Sequence, residues 1–261
     1  MKLTKKILKY IKNLFFLPVY LERLTRSNDY LHHQINEIGR VAKNDNNLIF
    51  KYLSEGIELH PHIKRESDAL VTDFRDAHPE ARLRYTLASE RLKPLSAILD
   101  LSCGYGYGTE FLFRKCKLGK TIGGDYFGPA AIYANRVFKQ CREDLEFVYV
   151  NGLDENAFEA NSFDNIVSLE TVEHVEEDGK ILQNFRKWLK PSGTLLLSVP
   201  NEDVIKFDPK TDPFHYRHYN RTTISELATA SGFSIIEFIY FDEHGVSEEP
   251  RNRIFAVLSP V

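Results

Sequence analysis

Ile98-Leu99-Asp100-Leu101-Ser102-Cys103-Gly104-Tyr105-Gly106-Tyr107-Gly108 is the stretch whose reading decides the fold. A short apolar run carries an acid and is followed by a glycine cluster that leads into a helical pattern. That order reads as a strand, a tight turn and a helix N-terminus. Glycines at such a turn let backbone approach a ligand closely, and the N–H groups at the helix start favour a negative group. The next apolar run, Thr121-Ile122-Gly123-Gly124, ends in a second acid, Asp125. An acid at that distance from the turn suits the two hydroxyls of a ribose. The two features together predict an adenosine-containing cofactor.

The glycine spacing narrows the choice. A dinucleotide fingerprint, G-x-G-x-x-G, needs a third glycine where Thr109 stands. A P-loop needs Gly-Lys-Ser/Thr closing the glycine turn itself, and none stands at that spacing. Asp100, Gly104 and Gly106 resemble motif I of the class I S-adenosylmethionine methyltransferases, D-x-G-x-G-x-G, with Ser102 in place of the first glycine. The resemblance implies S-adenosylmethionine as the cofactor. Backbone N–H groups of the turn would meet its carboxylate, Asp125 its ribose, and the ring of Tyr126 or Phe127 its adenine. At the end of strand three the family reads Gly-Asp-Ala, whereas this chain reads Val150-Asn151-Gly152-Leu153-Asp154. Asn151, Asp154 or a backbone group would take the acid's place there. Gly152 and Leu153, with Leu169 at the end of strand four, complete the expected cofactor contacts.

From Ala97 onward apolar runs alternate with helical patterns. Strands are expected at 98–101, 121–124, 147–150, 165–169 and 194–199, and helices near 108–115, 129–140 and 179–189. A helix over 81–92, closed by Pro94, precedes the first strand, and strands at 234–241 and 254–258 close the chain. Alternating β and α elements argue for an α/β, doubly wound, mostly parallel sheet. Ser162-Phe163-Asp164-Asn165-Ile166-Val167-Ser168-Leu169 resembles the family's strand four. Leu189-Lys190-Pro191-Ser192-Gly193-Thr194-Leu195 is similar to its turn before strand five. The expected architecture is therefore the Rossmann-like, seven-stranded methyltransferase sheet with an antiparallel last strand and an N-terminal helical extension.

Glu170-Thr171-Val172-Glu173-His174 is the sharpest local feature. A helix there would set Glu170 and Glu173 one turn apart on one face, with His174 beside them. Further imidazoles follow strand five in Asp212-Pro213-Phe214-His215-Tyr216-Arg217-His218-Tyr219. Carboxylates and imidazoles together can hold a divalent ion, and Glu170, Glu173, His174 and His215 are the candidate metal ligands. A neutral histidine can instead accept the proton of an attacking hydroxyl, so His174 and His215 are also the candidate catalytic residues. A purely local reading has the two acids favouring a helix N-terminus. The segment resembles the small-RNA 2′-O-methyltransferases, where Glu-x-x-Glu-His plus a later His binds Mg²⁺, and the ubiquinone-biosynthesis O-methyltransferases. The leading helix, the Gly-Tyr-Gly turn and the Pro-Phe-His segment together resemble bacterial methyltransferases associated with surface-polysaccharide synthesis. That resemblance implies a sugar or glycan hydroxyl as acceptor, with a quinone-precursor phenol or an RNA ribose as alternatives.

Bulk properties bound the rest. The chain has 261 residues, 43% of them hydrophobic, and a net charge of −3. The expected catalytic region shows no basic stripe with interleaved aromatics of the kind that marks a nucleic-acid surface. Cys103, Cys116 and Cys141 form no C-x-x-C pair and read as reduced thiols of a cytoplasmic protein. Residues 1–26 are strongly basic, with Leu3, Ile7, Ile11, Leu14 and Phe15 at helical spacing. Such a helix suits the inner face of an anionic membrane, or an apolar site on the protein or a partner. Lysines interrupt the apolar run, so a cleaved secretion signal is not expected. Within residues 21–42 two heptad series, Leu21-Asn28-Ile35-Ala42 and Leu24-Leu31-Ile38, predict a homodimeric coil or a helix folded back on the main domain. Residues 1–60 are thus expected to form an extension and 61–261 a methyltransferase domain. A nicotinamide oxidoreductase and a non-catalytic scaffold partner are the rival classes.

Overall fold

The computed structural model describes residues 73–126, 130–131, 134–139 and 142–261. The expected membrane helix (1–26), the heptads (21–42), Phe127 and Cys141 lie outside them. In chain order the elements are a 3-10 turn Phe74–Asp76, α1 (Pro79–Ser89), β1 (Ile98–Leu101), α2 (Tyr107–Cys116), β2 (Thr121–Asp125), a π-helical turn Asn135–Lys139, β3 (Leu145–Tyr149), β4 (Phe163–Leu169), a 3-10 turn Val172–His174, α3 (Asp178–Trp188), β5 (Leu189–Pro200), α4 (Arg221–Ala230), β6 (Phe233–Asp242), β7 (Gly245–Ser247) and β8 (Arg253–Pro260).

The strands form one sheet in the order β3-β2-β1-β4-β5-β8-β6-β7. The β1–β2, β1–β4, β2–β3 and β4–β5 pairs are parallel. The β5–β8, β6–β8 and β6–β7 pairs are antiparallel. The sheet therefore has eight strands among the described residues, not seven. The addition is β7, a three-residue strand inside the stretch expected to be a polar hairpin loop. The expected helix over 81–92 also shifts. It starts at Pro79, whose fixed φ suits the first turn and which His78 precedes as N-cap, and it ends at Ser89.

Period-two alternation explains the layering. Leu99, Leu101, Ile166, Leu195 and Leu197 pack with Ile181, Leu182, Phe185 and Trp188 of α3 and with Ile224 and Ala228 of α4. Their neighbours Ile98, Val167 and Leu196 pack with Leu87 and Ala88 of α1 and Leu112 of α2. Each central strand is buried on both faces, as a parallel sheet requires. The α3 face repeats at helical spacing, and each of its four large side chains contributes about 1.5–3 kcal/mol through burial.

The strand order reverses at β1, which has β2 on one side and β4 on the other. Such a switch point opens a crevice beyond the carboxyl ends of the strands. Register places Asp125 opposite Tyr149, Leu101 opposite both Gly124 and Ser168, and Leu169 opposite Ser198. The sequence motifs therefore all emerge along one edge of the sheet.

Candidate active site at the carboxyl edge of the sheet

The turn after β1 is built from left-handed residues. Ser102 has φ 65°, Gly104 φ 54° and Gly106 φ 85°. Ser102 adopts the conformation at the position where the motif usually has glycine. Its N–H and that of Cys103 both donate to the Gly124 carbonyl, at 2.7 and 3.1 Å, which ties the turn to β2. The glycines serve different ends. A Cβ on Gly104 would meet nothing within 4 Å, so this position faces open space. A Cβ on Gly106 would lie 2.5 Å from the Phe147 ring, and one on Gly108 would lie 2.0 Å from the Tyr85 ring. Gly104 is thus the glycine available to a ligand, while Gly106 and Gly108 let α2 start close to β3 and α1.

The two motif acids separate. Asp125 reaches back across the turn, where its Oδ2 accepts the Gly104 N–H at 2.7 Å. That bond aims the carboxylate beside the open glycine. Asp100 turns inward instead. It is buried, and its Oδ2 accepts the Thr109 hydroxyl at 2.6 Å and the Tyr85 hydroxyl at 3.2 Å. Burial pushes its carboxyl up to about 7, with the two hydroxyls opposing and the Asp125 charge adding. Asp100, expected among the cofactor contacts, therefore pins α1 and α2 to β1.

Tyr126, 59% exposed, lies beside the Tyr149 ring with centroids 5.7 Å apart. Gly152 lets the chain after β3 pass close to the core, because a Cβ there would sit 2.8 Å from Ile181 and 2.9 Å from Leu101. The Leu153 N–H donates to Asn151 Oδ1 at 3.0 Å, and Asp154 Oδ1 accepts the Asn156 N–H at 3.0 Å. Both polar side chains thus close local turns. Leu169 is buried at the end of β4.

Beyond β4 the chain does not form the α-helical turn that would align the two glutamates. Glu170 is left-handed, with φ 53°, and a 3-10 turn follows. Glu170 Oε1 accepts the Ser198 hydroxyl at 2.9 Å. Its Oε2 lies 2.9 Å from Arg253 Nε and 3.8 Å from Arg84 Nη1. Glu170 is therefore engaged in an ion-pair cluster. Among the described residues, the first group suited to a metal is Glu173, His174 and His215, with one ligand atom from each within 4.8 Å of the others. A second group, Asp212, His215 and His218, shares His215. Glu173 is fully buried, and neither carboxylate oxygen has a hydrogen-bond partner. Burial, and then the Glu170 charge, hold its carboxyl well above the usual range, against the opposing pull of Arg84 and Arg253.

Local bonds bring the later histidines there. The Tyr216 N–H donates to the Glu173 carbonyl at 2.7 Å. The Tyr219 hydroxyl donates to Asp178 Oδ2 at 2.8 Å, and Arg217 pairs with the same carboxylate. The His174 and His215 rings meet edge-on with centroids 4.5 Å apart. His174 Nδ1 lies 3.0 Å from the Phe214 carbonyl. A carbonyl only accepts, so Nδ1 carries a proton, and in a neutral ring Nε2 then has the lone pair. His218 was not among the expected site residues, although the stretch that contains it was. Its single signal in sequence is its place three residues after His215.

A family model described as a methyltransferase domain matches residues 74–237. The chain belongs to the class I S-adenosylmethionine-dependent methyltransferases. A protein named "Probable S-adenosylmethionine-dependent methyltransferase" from Mycolicibacterium smegmatis is 29% identical over 142 residues, covering 53% of this chain and 52% of the relative. A ubiquinone biosynthesis O-methyltransferase from Azorhizobium caulinodans is 33% identical over 122 residues, covering 44% of this methyltransferase and 46% of the relative. The matches thus span about half the length of these curated relatives. Among solved structures, a Burkholderia thailandensis 1,6-didemethyltoxoflavin-N1-methyltransferase with bound S-adenosylhomocysteine superposes with a TM-score of 0.59 at 16% identity. That superposition covers 77% of this methyltransferase and 83% of the neighbour, and it shows the shared fold. Among the described residues, no helix is long and apolar enough to cross a membrane.

Proposed function

We propose that this methyltransferase transfers a methyl group from S-adenosylmethionine to a hydroxyl of a sugar or glycan acceptor. The observation that carries the reading is the meeting of two imidazoles and a buried carboxylate beyond β4, on the sheet edge that also bears the open glycine turn. The cofactor supplies an electrophilic methyl on a sulfonium, and the other requirements fall on the chain. The helix N-terminus behind the open Gly104 turn favours the cofactor carboxylate, Asp125 supplies the ribose acceptor and Tyr126 an aromatic wall. A hydroxyl must lose its proton to attack carbon. His215 or His174, in its neutral form with the lone pair on Nε2, takes that proton within hydrogen-bond reach.

A second reading is favoured by Glu173. A buried carboxylate without hydrogen bonds is costly unless something cationic faces it or it is protonated. Glu173, His174 and His215 offer one oxygen and two nitrogens, a donor set that suits a transition-metal dication better than Mg²⁺. Such an ion would lower the hydroxyl's pKa and orient it. Glu170 falls outside this set because Ser198 and Arg253 hold it. A quinone-precursor phenol serves as acceptor in this reading as well as a sugar does, in keeping with the relative from Azorhizobium caulinodans.

Transfer of a tritiated methyl group into fractionated glycan, lipid and RNA extracts tests the acceptor class. Label in the glycan or glycolipid fraction is expected, and label confined to RNA would refute the reading. His215→Ala should lower turnover by about 10²–10⁴-fold while leaving S-adenosylhomocysteine affinity within a few-fold. Loss of turnover in chelator, restored by a divalent ion, selects the metal reading. We further propose that residues 1–26 bind anionic membrane and that residues 21–42 pair two copies. Lys5→Glu with Lys9→Glu should abolish vesicle cosedimentation, and Leu24→Glu with Leu31→Glu should yield monomers.

A further inference from the structure

His218 lies between β5 and α4, and its imidazole is almost wholly buried, with 1% of the side chain exposed. A buried imidazole needs partners for both nitrogens, and this one has them. Nδ1 lies 2.7 Å from the Ile205 carbonyl oxygen, and Nε2 lies 2.8 Å from His215 Nδ1. The Phe207 ring packs beside it with centroids 5.6 Å apart. The Glu202 carboxylate is farther off, at 3.9 Å from Nδ1, and it accepts the Phe207 N–H at 2.9 Å instead.

These distances order the protons along the chain of bonds. The Ile205 carbonyl has no proton to give, so His218 Nδ1 is the donor. In a neutral ring His218 Nε2 is then an acceptor. His215 Nδ1 must donate to it, which leaves His215 Nε2 with the lone pair. A backbone carbonyl thus selects the tautomer of a second ring one histidine away. His174 reaches the same state directly, because its Nδ1 faces the Phe214 carbonyl at 3.0 Å. Two carbonyls from different parts of the loop therefore prepare both neutral imidazoles alike, each with the proton on Nδ1 and the lone pair on Nε2. Histidines that act through one nitrogen commonly have the other fixed by a carbonyl or carboxylate. Here that arrangement is extended by one ring.

We propose that His218 is a positioning residue that holds His215 in its Nδ1–H tautomer and so presents the Nε2 lone pair to the acceptor hydroxyl or its metal. The proposal rests on the reading that His215 acts in the site. Without the His218 acceptor, His215 can also adopt the Nε2–H form, which presents a proton where a base or ligand is needed.

Ring ¹⁵N–¹H correlation spectra of the full chain with labelled histidine test this directly. The wild-type spectrum should show His215 and His218 both protonated at Nδ1. His218→Leu should move His215 toward the Nε2–H form and lower kcat about 10–100-fold, with S-adenosylhomocysteine affinity within twofold. His218→Gln, whose side-chain oxygen can accept the same bond, should restore the tautomer and most of the turnover. A wild-type His215 protonated at Nε2, or an unchanged tautomer in His218→Leu, overturns the proposal. Failure of His218→Gln to restore either readout in a folded protein does so too. The wild-type spectrum decides the matter even where the leucine variant fails to fold. An active His215→Ala would refute the role of His215 in the reaction without altering that spectrum, so the two failures are distinguishable.

Discussion

Glycines that look alike in the motif have different duties, and substitution should separate them. Gly104→Ala places a methyl in open space at a left-handed φ of 54°. It should weaken S-adenosylhomocysteine binding several-fold, read by calorimetry, and the left-handed backbone should cost about 1–2 kcal/mol in stability. Gly108→Ala drives a methyl into the Tyr85 ring at 2.0 Å. Overpacking of this kind costs about 1–3 kcal/mol, read by urea unfolding. Asp100 supplies a pH signature. Its folded carboxyl lies at about 7, above the ordinary 3.8. The native state therefore binds a proton before the unfolded chain does, and stability rises as pH falls from about 7 to about 4. Above pH 7 the full cost of the buried charge is present, at most about 4 kcal/mol. Asp100→Asn keeps an acceptor for Tyr85 and Thr109 without that charge. Its stability relative to wild type should be greatest at pH 8 and should diminish toward pH 4.

The elements were legible in sequence to different degrees. β1, β2 and β4 are short, apolar and bounded by turn residues, and α3 repeats Ile181, Leu182, Phe185 and Trp188 at helical spacing. Their periodicity is the same force that buries them, so reading and structure coincide within a few residues. Phe185 is fully buried between α3 and the sheet, and Phe185→Ala should cost about 3–5 kcal/mol, measured by urea unfolding with the slope unchanged. The connection after β4 was less readable. Glu-x-x-Glu suggests a helical turn, but tertiary bonds from Ser198 and Arg253 hold Glu170 in a left-handed conformation instead. Those partners lie 28 and 83 residues downstream of Glu170 in the sequence, beyond the reach of local pattern. His218 was hidden for a similar reason, since its meaning depends on the Ile205 carbonyl.

At the scale of the molecule, the order of motifs was enough to place the glycine turn, Asp125 and Glu170 at the carboxyl edge, because parallel strands joined by helices put every such turn at the same end of the sheet. The strand count was not, since three residues of β7 in a polar stretch carry no periodic signal. S-adenosylhomocysteine at 100 times its dissociation constant should stabilise the protein by about 2.7 kcal/mol, and NADH should not. Asp125→Ala should weaken that binding more than tenfold, or about 1.4 kcal/mol. Equal stabilisation by the nicotinamide would overturn the assignment of the cofactor site.

The small β7 has one more effect. A sheet that ended on the ten residues of β6 would offer a long row of open amides and carbonyls to any passing chain. β7 pairs with Tyr240, Phe241 and Asp242 alone, and Glu248-Glu249-Pro250 follow it at once with two negative charges and a residue that cannot donate. The hairpin end of β6 is therefore a poor template for stacking between crowded molecules, while β7 leaves residues 233–239 of that strand without a ladder partner on that side among the described residues.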